Sequence, residues 1–455
     1  MLQIISSLVV IYFCVLCRRS MSQAGVALGL VWSLYVLEQL LQQSTPILLQ
    51  QKYLTNVIVA GVVTLASIQA ILRGVLRQRS VPGQLIALLV LMTLCAVSSL
   101  WSISPNDTRH QLLCHAPYLI TFVFITPICA NDRMAITSAL DVTIKFGGLI
   151  ILGLAVSNLG VRGVVLNLYS NGRLNEGNPL EIASYGSTVA LCAVLLAFSR
   201  EKRFLFRLAL MTVAGLGLYI TVRSQSRGQL LAALVSLLIW LPLINGVAAR
   251  NSRLFAACAA CAVCIAVFFA MQESSFSNRW NGQNLKIAAE SRLEPVTRVL
   301  TAYRDAGLTN WLVGLGNSAS FKLANCYPHN VPVEVLVEEG ILGVLAFIYF
   351  SLSVLHSGWK VLSSESISPA ARFNIGTMLA LFTFHGLLTL KQGSLLGSAF
   401  YLSFGACLAW MIPRYMLTGK FSNGAQFSNR ICNRRVPLAR KSENRPPSGV
   451  FRRAG

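Results

Sequence analysis

The chain predicts an all-α fold: a polytopic transmembrane bundle of 12–13 helices with one large loop on its outer face. Three observations predict it. Of 455 residues, 55% are hydrophobic and only 12% charged, with a mean hydropathy of +0.62. That is too little charge to cover the surface of a soluble chain of this length. Apolar runs of about 16–24 residues recur along the chain, close to the ~20 that cross ~30 Å of hydrocarbon. The segments between these runs also alternate in basicity, as loops on opposite sides of a membrane do.

Taken in order, the first run, Leu2–Cys17, has no basic residue before it and Arg18-Arg19 after it. This is the reverse of a signal peptide, and it reads as a short first helix or a partly inserted segment. Spans follow at about 24–41, 54–72, 84–103, 112–130, 135–157, 182–199, 208–222, 228–249, 254–271, 330–355, 373–390 and 395–413. One set of loops holds Arg73/Arg77/Arg79, Arg200/Lys202/Arg203/Arg207, Arg250/Arg253 and Lys360/Arg372, and the basic tail lies on the same side. By the positive-inside rule that side is cytoplasmic. The other side receives Ser104–Gln111, Asn158–Glu181, Arg223–Arg227, the long stretch Gln272–His329 and Lys391-Gln392-Gly393. Residues 1–415 form the membrane domain. Residues 416–455, rich in Arg, Ser, Asn and Pro, read as a disordered cytoplasmic tail suited to anionic lipid.

The balance of 38 Lys+Arg against 16 Asp+Glu, a net +22, does not point to nucleic acid, because the basic residues are spread among short loops and one tail. Most of that excess is topological. The twelve cysteines lie mostly inside apolar runs, where Cys behaves as a small hydrophobe. Cys258, Cys261 and Cys264 have C-x2-C-x2-C spacing, but in AACAACAVCIAVFFA, without His or carboxylate, close helix packing explains them better than metal.

The stretch Gly314–Gly343, GLGNSASFKLANCYPHNVPVEVLVEEGILG, joins the long polar segment to an apolar helix starting near Pro332. His329-Asn330 therefore sits where polar chain meets membrane. There an imidazole stays wet yet faces a lipid-borne substrate, and its ordinary pKa near ~6.5 suits it to act as a base. On the outer side Arg162, Arg173, Arg223, Arg227, Arg279, Arg292, Arg298 and Arg304 break the charge rule. Arginine at a membrane edge suits bidentate contact with phosphate oxygens. For Arg292, Arg298 and Arg304 the competing explanation is exposure, or pairing with Glu290, Glu294 and Asp305. For Arg223 and Arg227, in VRSQSRGQ with no acid nearby in sequence, that explanation is weaker. His110 and His115 read as packing residues, mid-span His385 as a residue that bonds a neighbouring helix, and Gly314-x-Gly316 as a tight turn. No P-loop or Rossmann context accompanies it.

Four stretches together resemble the bacterial O-antigen ligase/polymerase family of integral membrane glycosyltransferases. They are Ser98-Ser99-Leu100-Trp101-Ser102 with Pro105; Gly172-Arg173 with Gly177-Asn178-Pro179; Ser226-Arg227-Gly228; and Arg298, Gly314-x-Gly316, Phe321, His329-Asn330 and Glu339-Gly340-x-x-Gly343. The resemblance covers about residues 84–355. It departs from the family in Leu180-Glu181, where a second Asn is common, and in the Leu-Asn-Glu after Arg173. It implies transfer of a glycan from undecaprenyl diphosphate to a lipid A–core hydroxyl, at the periplasmic face of the bacterial inner membrane. It further implies His329 as the base, Arg227, Arg298 and Arg173 on the diphosphate, and Asn330, Glu339 and Arg223 as supporting groups. No cofactor or metal is expected; a hard metal would need oxygen ligands, and no Asp-x-Asp occurs in the chain. An O-antigen polymerase, which uses the same donor, is the alternative. A transporter of lipid-linked glycan without chemistry is the third reading, and spans nearly free of charge count against it.

Overall fold

The structure, a computed structural model, describes residues 2–44, 54–72, 81–130, 133–157, 169–170, 173–174, 178–198, 204–224, 226–245, 282–326, 328–364 and 367–432. The predicted span at 254–271, with its three cysteines, and the tail from 433 lie outside them. The chain divides into two units, Met1–Tyr415 and Met416–Gly455.

Among the described residues, the first unit is helical apart from one short strand pair. Its helices are α1 (Leu2–Ser20), α2 (Ala24–Trp32), α3 (Leu34–Ser44), α4 (Leu54–Leu72), α5 (Gly83–Val97), α6 (Pro105–Leu119), α7 (Thr126–Cys129), α8 (Arg133–Val156), α9 (Pro179–Ala197), α10 (Phe204–Arg223) and α11 (Arg227–Asn245). Then come α12 (Gly282–Asp305), α13 (Leu308–Val313), α14 (Ala319–Ala324), α15 (Val331–Leu362), α16 (Pro369–Thr389) and α17 (Ala399–Cys432). Helix α17 thus runs into the stretch the sequence reads as disordered. Among the described residues the sole strand pairing is antiparallel and two residues long, β1 (Tyr169–Ser170) with β2 (Arg173–Leu174).

Nine helices among the described residues are long and apolar enough to cross a membrane, the first of them Gln3–Ser20. With the composition, this makes the protein a multi-pass membrane protein. The predicted span at 24–41 is instead a bent pair, α2 and α3, turning by 62°. Ser33 at the bend donates to the Gly29 carbonyl (3.1 Å) and receives the Tyr185 hydroxyl (2.8 Å), so a neighbouring helix holds the break. The predicted spans at 373–390 and 395–413 form α16 and α17, which are not among the nine. Most of α16 is buried inside the bundle. Close packing uses small residues: a Cβ on Gly186 of α9 would lie 2.7 Å from the Gly217 carbonyl of α10, and one on Gly217 lies 2.5 Å from that of Gly186.

Two predicted loops are ordered as helices. Ser104–Gln111 is the first part of α6, started by Pro105 in the first turn, where its missing N–H is not needed. Much of Gln272–His329 forms α12, α13 and α14, which have a small core of their own. That core comprises Val299, Tyr303, Leu315, Ala319 and Ala324, seated on Val337 of α15.

Candidate functional site

Helix α15 carries the centre of the site. Its cap is Asn330, whose side-chain oxygen accepts from the Val333 N–H at 3.2 Å. Ten residues on, Gly340 breaks the helix at φ 70°, ψ −164°, a conformation essentially reserved for glycine. A break here releases the carbonyls of Val337 and Glu338 from helical bonding. They accept instead from the N–H groups of Leu315 (2.8 Å) and Gly316 (3.0 Å). The Gly314-x-Gly316 turn is thus a wedge docked into the broken helix, and the fit leaves no room for side chains. A Cβ on Gly314 would be 2.1 Å from the Glu338 carbonyl oxygen, and one on Gly316 would be 2.4 Å from the Ser102 Cα.

The far side of the wedge rests on the Ser98–Ser102 motif. The Ser102 hydroxyl donates to the Asn317 carbonyl at 2.6 Å, and the Thr108 hydroxyl lies 2.6 Å from the same oxygen. The Asn317 amide reaches the Cys95 thiol at 3.0 Å. Beneath the wedge, the buried Glu338 carboxylate accepts the N–H groups of Ser318 (2.8 Å) and Ser320 (3.1 Å) and the Ser320 hydroxyl. Glu339, also buried, has no hydrogen bond to either oxygen among the described residues; the Cys95 thiol is set beside it. The supporting role the resemblance implies for Glu339 gains no contact with His329 or an arginine here. It is Glu338 that fastens the loop.

His329 is partly exposed and has left-handed backbone, φ 53°, unusual for a residue with a Cβ. Partial burial, and then the nearby Arg292 guanidinium, hold its imidazole below the ordinary range. It is therefore neutral, and able to accept a proton, at neutral pH.

The next residue ties the histidine to a second cluster. The Asn330 amide donates to the Leu390 carbonyl at 3.3 Å, and Glu334 accepts from the Leu395 N–H at 3.0 Å. These bonds fix α15 to the turn between α16 and α17. On that turn Lys391 lies across Gly228, where a Cβ would meet its Nζ at 2.2 Å, and donates to the Gln229 side chain at 3.1 Å. Gln229 in turn donates to Gln392 at 2.7 Å and to the Leu180 carbonyl at 3.4 Å. One turn therefore gathers the N-terminal ends of α9, α11 and α15, which are the Asn-Pro, Ser-Arg-Gly and His-Asn motifs. Helix N-termini favour anions, and Arg227, the first residue of α11, adds a cation where one opposes the helix dipole.

The other candidate arginines sit elsewhere. Arg223 ends α10, and its guanidinium donates to the carbonyls of Leu154 (3.2 Å), Ala155 (3.0 Å) and Ser157. It caps the C-terminus of α8, a structural task that the sequence, showing only the absence of acids, does not reveal. Arg298 pairs with Glu294 at 2.7 Å, both well exposed. Arg173 lies in β2, paired with Ser170, and its side chain is outside the described residues. The arginine whose charge acts on His329 is Arg292. By helical spacing it falls on the same face as Val296, Val299 and Tyr303, of which Val299 and Tyr303 pack with Val337 of α15, while Arg298 lies off that face. That i, i+4, i+7, i+11 spacing was the signal in the sequence.

Next to the turn, a cavity of ≈ 520 Å³ opens into the bundle. Tyr35, Tyr118, Glu181, His385, Gln392 and Phe400 are among its lining residues. His385, expected to bond a neighbouring helix, lies 3.3 Å from Thr188 of α9 and stacks on Phe400 and Phe404.

The fold and this site define a class: a multi-pass helical membrane protein with a histidine, cations and helix N-termini gathered at one end of its bundle. Compared with known proteins, the chain matches no family model and no curated sequence.

Proposed function

We propose that the protein is a metal-independent glycosyltransferase of the inner membrane, moving O-antigen glycan from undecaprenyl diphosphate to a lipid A–core hydroxyl at the periplasmic face. The observation that carries the reading is the meeting of His329, a neutral imidazole on a strained backbone, with an anion-favouring end of the bundle. In the step proposed, the acceptor hydroxyl attacks the anomeric carbon and His329 takes its proton. The anomeric C–O bond to the diphosphate breaks, and the electron pair leaves with the diphosphate. Arg227 and Arg292, with the ends of α11 and α15, stabilise that charge; elsewhere one such preorganised donor is worth ~3–4 kcal/mol. The imidazolium then returns its proton to solvent or product. Arg298 is the weaker candidate, since it is committed to Glu294.

The polymerase reading shares the donor and these residues, and only the acceptor separates the two. The transporter reading expects paired broken helices and charges lining a path. Of the two breaks described here, one is closed by the Tyr185–Ser33 bond and the other by the docked loop.

The test is transfer in proteoliposomes containing undecaprenyl-diphosphate glycan and lipid A–core, with wild type, His329→Ala and Arg227→Ala. Product on lipid A–core from wild type alone, with both variants folded, supports the reading. Longer lipid-linked chains would move it to the polymerase. Equal activity in all three proteins would overturn the site.

A further inference from the structure

Helix α15 marks where the membrane begins. From Val331 to Gly340 none of its residues is exposed, whereas Ile341, Leu342 and Leu345 all are, and exposed apolar residues recur from there to Trp359. The part beyond the break, Ile341–Leu362, rises ~33 Å at ~1.5 Å per residue, which matches the ~30 Å of hydrocarbon. Gly340 therefore lies at the boundary of the bilayer on the His329 side. Helix α5 gives the same level independently. Its exposed stripe, with Ile86, Val90 and Val97, ends at Leu100, just before Ser102 meets Gly316 of the wedge.

At this level large apolar side chains remain exposed on two elements beside the wedge. After α5 they are Leu100 (83% exposed), Trp101 and Ile103; on α13 they are Leu308 (72%), Trp311 and Leu312. The last three, spaced i, i+3, i+4, share one face of α13. The backbone of that helix is committed to the protein: the Leu312 carbonyl abuts Gly340, and the Trp311 carbonyl accepts the Tyr303 hydroxyl at 2.6 Å. The Trp311 indole N–H donates to the carbonyls of Tyr303 and Arg304, each at 3.1 Å. Its polar group is thus satisfied within the protein while part of its ring stays exposed.

Exposed apolar residues gathered at one level mark an interaction face. These continue the exposed stripes of α5 and α15, which face lipid, and they stand at the height where tryptophan gathers in membranes. Charge agrees with lipid as the occupant. Neither Ser98–Ile103 nor Leu308–Val313 holds a charged residue. Arg304 and Asp305, which precede α13, are exposed and pair with each other at 2.9 Å.

We propose that α13 and the turn after α5 form a foot seated in the interfacial layer of the leaflet on the His329 side. The partner it fits is the glycerol region and upper acyl chains of bilayer phospholipid, at the ~5–10 Å depth of interfacial helices. The long polar segment then rests on the bilayer through α13 instead of standing in water. Through Leu312 and Gly340, the foot fixes the height of the wedge and of the end of α15 that follows His329. None of this depends on the transferase reading.

The test is photolabelling of the full-length protein in phosphatidylcholine nanodiscs, mapped by peptide mass spectrometry. One lipid carries a diazirine near the glycerol end of its acyl chain, and a second carries it at the chain terminus. In separate samples, hydroxyl radicals made in the bulk water report water contact. Leu345 serves as the lipid-facing reference, and the exposed Glu294 as the water-facing one. The shallow lipid should label the peptides holding Leu100 and α13 within about threefold of the Leu345 peptide, and should leave the Glu294 peptide unlabelled. The deep lipid should label the foot at least about threefold less than the shallow one. Radicals should oxidise Trp101 and Trp311 at least about tenfold less than in the denatured chain. Oxidation close to that of the denatured chain would make the face water-borne. Protection from both the lipids and the radicals would mean that protein covers it. Either result, or a foot labelled as strongly by the deep lipid as by the shallow one, overturns the proposal.

Discussion

Replacing Gly340 with alanine tests whether the wedge and the helix break are one device. The backbone there sits at φ 70°, ψ −164°, and holding any other residue in such a region costs ~1–3 kcal/mol. The new Cβ would lie 2.4 Å from the Leu312 carbonyl oxygen and 2.6 Å from the Gly314 nitrogen. Both are backbone atoms, so no side chain can swing aside, and the protein must carry the overlap or release the loop. Release breaks the bonds at Leu315 and Gly316, ~1 kcal/mol each, and strips the buried Glu338 of three donors, at ~1 kcal/mol or more apiece. Either way we expect a loss of about 3 kcal/mol or more. Gly61→Ala is the control, since that glycine is in α4 with nothing within 4 Å of its Cβ position; it should be neutral or gain up to ~1 kcal/mol. Thermal unfolding in nanodiscs reads the stability. Maleimide labelling of Cys95, buried under the Asn317 amide, reads the docking. Wild-type stability and an unreactive Cys95 in Gly340→Ala would refute the wedge.

Four further outcomes follow from the same geometry. Arg292→Ala should lower transfer at least tenfold, whereas Arg298→Ala, which breaks an exposed pair worth ~0–1 kcal/mol, should change it less than threefold; kcat/KM for the two variants decides this. Wild-type activity should persist below pH 6.5, because burial and Arg292 hold His329 neutral there. In Arg292→Ala, protonation becomes easier and the acidic limb of the pH–rate profile should move to higher pH. Glu338→Gln offers an amide nitrogen where a donor already points, so we expect ~2–3 kcal/mol of lost stability by thermal unfolding, with Cys95 becoming reactive. Arg223→Ala removes the three bonds its guanidinium makes to the end of α8 and should destabilise by ~1–3 kcal/mol without altering the pH profile.

The sequence made the helical architecture legible because hydropathy and length act locally: a run such as Leu54–Leu72 is a span on its own evidence. It could not show the bend at Ser33, which depends on Tyr185, a residue distant in the chain. The same limit explains the long polar segment, read as loop because its mean polarity is high. Only the apolar spacing of Val299 and Tyr303 hinted that it folds onto α15.

The site was legible in its motifs and not in its wiring. Gly314, Gly316 and Gly340 stood out singly, yet their shared reason is one backbone-to-backbone contact that no linear spacing encodes. Lys391 looked like an ordinary loop residue and Gln229 like the start of a span, although they bind the Ser-Arg-Gly and Asn-Pro helix ends to the turn that Asn330 also holds. Arg223 and Arg298 were as prominent in sequence as Arg227 and Arg292, and the partners that engage them could not be read from it. The Leu154, Ala155 and Ser157 carbonyls engage Arg223, and Glu294 engages Arg298. An arginine already engaged by its own fold must give up those bonds to meet a phosphate. For this reason residue type alone does not rank Arg223 or Arg298 for that task.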